Sequence, residues 1–329
     1  MPLLLTEADV RRCLDTASLV PLMRETLAAF SRRETQQPVR STILLQPGSR
    51  FYGVMPAYVP PLAGRRGGLG LKSVVFYPEN DARGLPTHLA TVLLLDPDTG
   101  ALEAILDGRL ITELRTAAVS AVSVDLLARP GAATLAIIGS GVQARSHLEA
   151  LAQVRDLREV RVWSRRPPNA ERFAREMAGT VRAPLATAAS VAAAVRGADI
   201  VVTVTSAVEP VLRGEWLEPG MHLCVVGSSA AAMREVDAEA VARCRVWVDS
   251  EEASDVEAGD ILLAIAEGRI TRDHVIGELG AVAGGAPGRR STDEITMFKS
   301  LGLAVEDVAT ARLVVDRAKG RGIGTEIAL

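Results

Sequence analysis

The stretch Ala136-Ile137-Ile138-Gly139-Ser140-Gly141-Val142-Gln143-Ala144 decides the fold. An apolar strand-like run enters a G-x-G-x-x-A turn and continues into a helical pattern. Gly139 permits the tight turn, Gly141 lets the backbone approach a pyrophosphate, and Ala144 is small enough for the helix to pack on the strand. The helix start would then present free N–H groups to phosphates. Such a turn alone also serves ordinary strand-to-helix connections. Here a second apolar strand, Val160–Trp163, follows at the right interval and ends in Ser164-Arg165-Arg166. An NAD site usually carries a carboxylate about 20 residues on, to hold the ribose 2′-hydroxyl. No acid stands in this run, and arginine suits a 2′-phosphate through charge-assisted, bidentate hydrogen bonds. The plainer alternative is a solvated basic loop in an arginine-rich chain. The reading favours NADP(H), with NAD(H) possible.

Outward from that turn, strand-like and helical runs alternate after Pro130-Gly131. They are Thr134–Ile138, a helix to Val154, Val160–Trp163, a helix to Met177, a helix over Ala188–Arg196, then Ile200–Thr205, His222–Val226 and Val246–Val248. This alternation predicts an α/β fold with βαβ units on a parallel, doubly wound sheet. Glu252–Gly268 and Ile295–Lys319 read as further helices. The first third reads as a mixed α+β unit. Thr6-Glu7-Ala8-Asp9 resembles a helix-start box with Thr6 as N-cap and Asp9 at N3, and Leu19–Phe30 has helical spacing. Strand-like runs follow at Thr42–Leu45, Tyr52–Met55, Leu71–Phe76 and Ala90–Leu95, with loops at Pro60–Gly70 and Pro97–Gly100 and a long helix over Asp107–Ala128.

The bulk numbers narrow the function. A hydrophobic share of 48% over 329 residues supports a sizeable core, and a net charge of −3 gives no reason to expect nucleic acid or an acidic membrane surface as partner. No apolar run reaches membrane-spanning length and no basic leader opens the chain, so the expectation is a cytoplasmic protein. Cys13, Cys224 and Cys244 are widely spaced and odd in number, which fits a reducing compartment and no disulfide framework. His88, His147, His222 and His274 are scattered without zinc-type spacing, so no metal is expected. Of 37 basic residues only Lys72, Lys299 and Lys319 are lysines. A lysine kept where arginine dominates is a candidate for compact donation or proton transfer.

The chain resembles the ornithine cyclodeaminase/mu-crystallin family along nearly its whole length, most of all its mu-crystallin (ketimine reductase) branch. The resemblance rests on Leu114-Arg115-Thr116-Ala117-Ala118-Val119-Ser120, Ile138–Ala144, Glu209-Pro210-Val211-Leu212-Arg213-Gly214-Glu215-Trp216, Val248-Asp249-Ser250 and Phe298-Lys299-Ser300-Leu301-Gly302. It implies a substrate-binding and dimerisation domain of residues 1–116 and 304–329, and a Rossmann dinucleotide-binding domain of residues 117–303. It implies that Arg40, Lys72 and Arg115 hold the substrate carboxylate. It places Arg115, Thr116, Gly139, Ser140, Gly141, Val142, Gln143, Ser164, Arg165 and Arg166 on the cofactor, with Thr205, Val226 and Ser300 near the ribose or nicotinamide. Three cations on one small anion neutralise it and fix its plane. The partners implied are a small imino or amino acid and a second copy of the chain, as a homodimer.

Two departures set the expected reaction. Cyclodeaminases of this family carry an aspartate shortly after the V-G-x turn, where Val226-Gly227-Ser228-Ser229 places Ser229. They carry an acid just before a Met-Pro pair, where this chain has Gly53 ahead of Met55-Pro56. Cyclising ornithine needs a base for amine chemistry, whereas reducing a protonated cyclic imine needs hydride, carboxylate clamps and at most one proton donor, for which Lys72 is the candidate. The expectation is an NAD(P)H-dependent reductase of cyclic α-imino acids. The rivals are an ornithine cyclodeaminase, an alanine-dehydrogenase-like enzyme and a non-catalytic nucleotide-binding protein.

Overall fold

The computed structural model describes residues 1–46, 50–62 and 64–328. The loop expected at residues 60–70 therefore includes one position, Ala63, outside the described residues. After β1 (Leu3–Leu5), Thr6 starts α1 (Glu7–Cys13) with a reciprocal cap. Its hydroxyl accepts from the Asp9 N–H at 3.3 Å and its own N–H donates to the Asp9 carboxylate at 3.0 Å. Asp15 caps α2 (Thr16–Ser31) one way, its carboxylate accepting from the Ser18 N–H at 2.8 Å. Then come β2 (Ser41–Gln46), β3 (Arg50–Val59), β4 (Gly68–Phe76), β5 (His88–Leu95), β6 (Leu102–Asp107) and α3 (Gly108–Leu127).

β3 and β4 extend furthest beyond their expected runs, for identifiable reasons. β3 continues through Pro56 because its neighbour β2 ends at the Ser41–Val54 pair, so proline there removes no bond to β2. β4 begins at Gly68, inside the supposed loop. A Cβ on Gly70 would lie 2.4 Å from the Leu93 carbonyl oxygen, so glycine here marks close approach of neighbouring backbone and not a turn.

The alternating half follows as β7 (Thr134–Ile138), α4 (Val142–Leu151), β8 (Glu159–Trp163), α5 (Pro167–Glu176), β9 (Leu185–Thr187), α6 (Val191–Val195), β10 (Ile200–Thr203), β11 (His222–Val225), α7 (Ala238–Arg243), β12 (Arg245–Val248), α8 (Glu251–Glu257), α9 (Gly259–Ala266), β13 (Val275–Glu278), α10 (Leu279–Ala283) and β14 (Thr296–Lys299). The chain closes with α11 (Ala304–Arg321) and β15 (Thr325–Glu326). The helix expected over Ile295–Lys319 is thus a strand, a loop and a helix. Thr296–Lys299 is buried at every position between β11 and β12, and such a run has no alternation to betray it as a strand. The helix expected over Glu252–Gly268 breaks at Ala258. A Cβ on Gly259 would meet the Met233 carbonyl oxygen at 2.0 Å, so α9 starts in tight contact with the preceding loop.

Two compact units divide the chain: Met1–Arg115 with Leu303–Leu329, and Thr116–Gly302. The first holds a seven-stranded sheet of order β15-β1-β6-β5-β4-β3-β2, antiparallel except where β1 pairs with β6. Its core lies between that sheet and α2 and α11, and includes Met23, Leu27, Leu94 and Val308. The second holds an all-parallel eight-stranded sheet of order β13-β12-β14-β11-β10-β7-β8-β9. Its strand order reverses between β7 and β10, the switch point of a doubly wound sheet, where such folds bind ligands beyond the carboxyl ends of the strands. Among the described residues no helix is long and apolar enough to cross a membrane.

Candidate active site residues

In the first unit the glycines of β4 bring a helix to the sheet. Gly68, Gly70, Lys72 and Val74 alternate onto one face. Cβ atoms on Gly68 and Gly70 would lie 2.9 and 3.3 Å from Val308, so α11 lies directly on this face. Lys72 continues the row and meets Asp307, the residue before Val308, with Nζ 2.5 Å from Oδ2. Arg115 of α3 donates from Nε to Asp307 Oδ1 at 2.9 Å and from a terminal nitrogen to Glu306 Oε2 at 2.7 Å. Lys72 and Arg115 are 2% and 3% exposed, and Glu306 and Asp307 are fully buried. Both acids lie in the first turn of α11, where the helix dipole favours negative charge.

Burial pushes the Lys72 ammonium down to about 8; Arg115 and Arg40 push the same way, and Asp307 opposes them. Burial raises the Asp307 carboxyl, but Arg115 and Lys72 outweigh that and hold it below the usual range. Arg40 is half-buried in the segment before β2, and its charge reaches Lys72. Gly53 lies on the Lys72 face of β3, two positions before Met55, which pairs with Lys72. A Cβ there would sit 3.3 Å from Val74, and the position offers no acid.

In the second unit β7 delivers the glycine turn to the switch point. Gly139 has φ +121°, and a Cβ on it would lie 2.6 Å from the Val204 carbonyl oxygen. Gly141 has open space where its Cβ would point, and no side chain caps α4, so the N–H groups of its first turn are free for an anion. Ala144 is fully buried, Val142 is exposed, and Gln143 Oε1 is buried without a hydrogen-bond partner. The Ser140 and Ser164 hydroxyls join the two turns at 2.9 Å. Arg165 and Arg166 are exposed, and among the described residues neither guanidinium makes an ion pair or side-chain hydrogen bond. These features fit a nicotinamide dinucleotide: a glycine cradle and an uncapped helix start, with two exposed arginines beside them. Arg145 donates to the Ser140 and Gly141 carbonyls at 2.8 and 3.0 Å and braces the turn; nothing in the sequence singled it out.

Thr116 is buried in α3 directly after Arg115. Thr205 and Val226 follow β10 and β11, and Ser300 follows β14 with its N–H on the Val225 carbonyl at 3.0 Å. Asp249, from the Val-Asp-Ser motif, accepts from the N–H groups of Leu301 and Gly302, each at 2.6 Å, and so fixes the loop carrying Ser300. Ser229 is half-buried, with no acid in its place. Sequence reasoning quoted Asp249 in a motif without giving it a role, and missed Glu306, Asp307, Glu235 and Asp260. Lysine scarcity, applied to Lys299 as it was to Lys72, was the one signal toward the last two. Among the described residues no group of histidine, cysteine and acidic side chains is arranged to hold a metal ion.

Fold and site residues together define a two-unit α/β protein with a Rossmann-type nucleotide unit and a buried cationic cluster in the other unit. The profile of the ornithine cyclodeaminase/mu-crystallin family matches residues 1–322, and the chain belongs to that family. It is 42% identical to the ketimine reductase mu-crystallin of Mus musculus over 319 residues, covering 96% of this chain and 97% of that one. It is similar to the Thermococcus litoralis Δ1-pyrroline-2-carboxylate reductase solved with NADH and L-proline, with TM-score 0.94 and 37% identity over 99% of this chain and 100% of that one. An archaeal alanine dehydrogenase dimer with bound NAD gives TM-score 0.92 and 31% identity over 100% and 99% of the two chains.

Proposed function

We propose that the chain is an NADPH-dependent reductase of cyclic α-imino acids such as Δ1-pyrroline-2-carboxylate or Δ1-piperideine-2-carboxylate, giving proline or pipecolate. The observation that carries this reading is the buried Lys72–Asp307–Arg115 cluster, in a chain whose relatives include imino-acid reductases. Arg40, Lys72 and Arg115 hold the substrate carboxylate and fix the plane of the ring. Asp307 and Glu306 keep the Lys72 and Arg115 side chains extended and charged. Lys72 gives a proton to the ring nitrogen, directly or through water, and its depressed pKa of about 8 suits a donor near neutral pH. Gly139, Gly141 and the start of α4 receive the pyrophosphate, and Ser164, Arg165 and Arg166 the 2′-phosphate. When bound, the nicotinamide nucleotide supplies the hydride. A carboxylate base, which ornithine cyclisation would need, is missing at Gly53 and Ser229.

Purified protein should oxidise NADPH with these imines, and faster at low concentration than it oxidises NADH. A preference for NADH would remove the 2′-phosphate assignment. Ammonia release from ornithine without net nucleotide consumption would turn the reading to a cyclodeaminase, activity confined to pyruvate and ammonia to an alanine dehydrogenase, and binding without turnover to a nucleotide-binding protein.

The finer partner assignment is a homodimer. Ile43, Tyr52, Val75 and Leu89 form one row across β2, β3, β4 and β5 on the face opposite Lys72, with Ile43 58% and Leu89 42% exposed. An uncovered apolar sheet face favours a second copy as its cover. Light scattering that reads one 34.8 kDa chain would remove the dimer. The buried free cysteines suit a reducing, cytoplasmic setting.

A further inference from the structure

One fully buried carboxylate in the second unit has no part in that reaction. Glu235 accepts four hydrogen bonds. Oε1 takes the Thr205 N–H at 2.6 Å and the Thr205 hydroxyl at 2.7 Å, and Oε2 takes the Thr203 hydroxyl at 2.8 Å and the Gly227 N–H at 2.6 Å. β10 ends at Thr203 and its neighbour β11 at Val225. A single side chain therefore ties together the exits of two adjacent strands. The exits are so close that a Cβ on Gly227 would lie 2.1 Å from the Thr205 carbonyl oxygen.

A second layer holds the same turn from behind. Asp260 Oδ1 accepts from the Glu235 and Val236 N–H groups at 2.7 and 3.0 Å. Its other oxygen lies 2.8 Å from Lys299 Nζ, which also donates to the Ser228 carbonyl. Glu235, Asp260 and Lys299 are all fully buried.

Only a carboxylate completes this arrangement. Each oxygen of Glu235 faces one backbone N–H, and an N–H cannot turn to accept as a hydroxyl can. A glutamine in either orientation would set its NH2 group against the N–H of Thr205 or of Gly227, leaving a buried donor unpaired.

We propose that Glu235 is a positioning residue for the nicotinamide half of the cofactor: it clips the Thr205 and Val226–Ser228 turns into one ledge, backed by Asp260 and Lys299. The proposal rests on the reading that these strand ends receive the nicotinamide. The test compares wild type, Glu235→Gln and Thr203→Val. NADPH affinity is read by fluorescence titration, kcat with an imine substrate, and the affinity of adenosine 2′,5′-bisphosphate, which probes only the glycine turn and the Ser-Arg-Arg segment. Glu235→Gln should weaken NADPH about tenfold, as one unpaired backbone donor implies, and lower kcat while leaving the fragment's affinity unchanged. Thr203→Val keeps both N–H bonds and should stay close to wild type.

Equal NADPH affinity in wild type and Glu235→Gln would overturn the proposal. So would parallel weakening of NADPH and the fragment, or an equal loss in Thr203→Val. If Glu235→Gln fails to fold, Glu235→Asp, which keeps the charge but cannot span both turns, must show the same split between NADPH and fragment. Wild-type protein that bound neither NADPH nor NADH would overturn the cofactor reading together with this one; binding that Glu235→Gln leaves untouched would overturn the positioning role alone.

Discussion

Each unit buries a small cluster of charges, and the two are built in opposite senses. In the first unit two acids from the start of α11 hold the cations Lys72 and Arg115, which the proposed reaction would use as its working ends. In the second unit a carboxylate, Glu235, is the hub, and what it holds is backbone: the N–H groups of Thr205 and Gly227. Lys299 there is spent on Asp260 and the Ser228 carbonyl. A buried charge can serve as reagent or as brace. The partners differ: Lys72 shares Asp307 with a second cation, Arg115, whereas Lys299 is closed by one carboxylate and one carbonyl. Buried pairs of either kind contribute little net stability, yet breaking one leaves an uncompensated charge at high cost.

The sharpest way to break the comparison is to remove the lysine from each cluster. Lys72→Met should lower kcat about 100-fold or more, the range of a lost proton donor, while still binding NADPH. Unchanged turnover would take Lys72 out of the mechanism. In the wild type, kcat should fall as pH rises through about 8, because Lys72 donates only while protonated and burial has lowered its pKa to that value. A flat profile from pH 6 to pH 10 would contradict the donor role. Stability should suffer less in this variant, since Asp307 keeps Arg115 at 2.9 Å.

Lys299→Met should show the reverse. Asp260 would keep only backbone donors, and the loss is about 3–5 kcal/mol, seen as a fall in Tm on the order of 10 °C. A Tm within a degree or two of wild type would show that Lys299 braces nothing. The mildest change is the double substitution of Arg165 and Arg166 by alanine. Both are exposed and uncommitted, so Tm should hold while KM for NADPH rises about tenfold and KM for NADH stays put. An equal rise for both nucleotides would place these arginines elsewhere than on a 2′-phosphate.

Legibility from sequence tracked the range of the interactions. Gly139, Gly141 and Ala144 were readable because strand, turn and helix are contiguous, and the turn needs a positive φ at Gly139. The Thr6–Asp9 box was readable for the same reason. β14 was not: its burial comes from β11 and β12 on either side, and a strand buried throughout carries no period of its own. Pro56 and Gly70 misled because their usual meaning, a break, was overridden by where β2 ends and how close β5 comes. Arg115 was reached through family resemblance, but its carboxylate partner on α11 lies 192 residues further along the chain, and no spacing rule connects them.

The sequence by itself determined the nucleotide turn, the βαβ order and the family, because these rest on short-range steric and periodic constraints written in adjacent residues. Only the tertiary structure decided which charges are paired and which are left to act. That choice depends on α11 returning to β4 and on Glu235 reaching two strand ends at once. Burial makes it binding: in a low dielectric every unpaired charge or donor is costly, so the partners fix the role of each side chain.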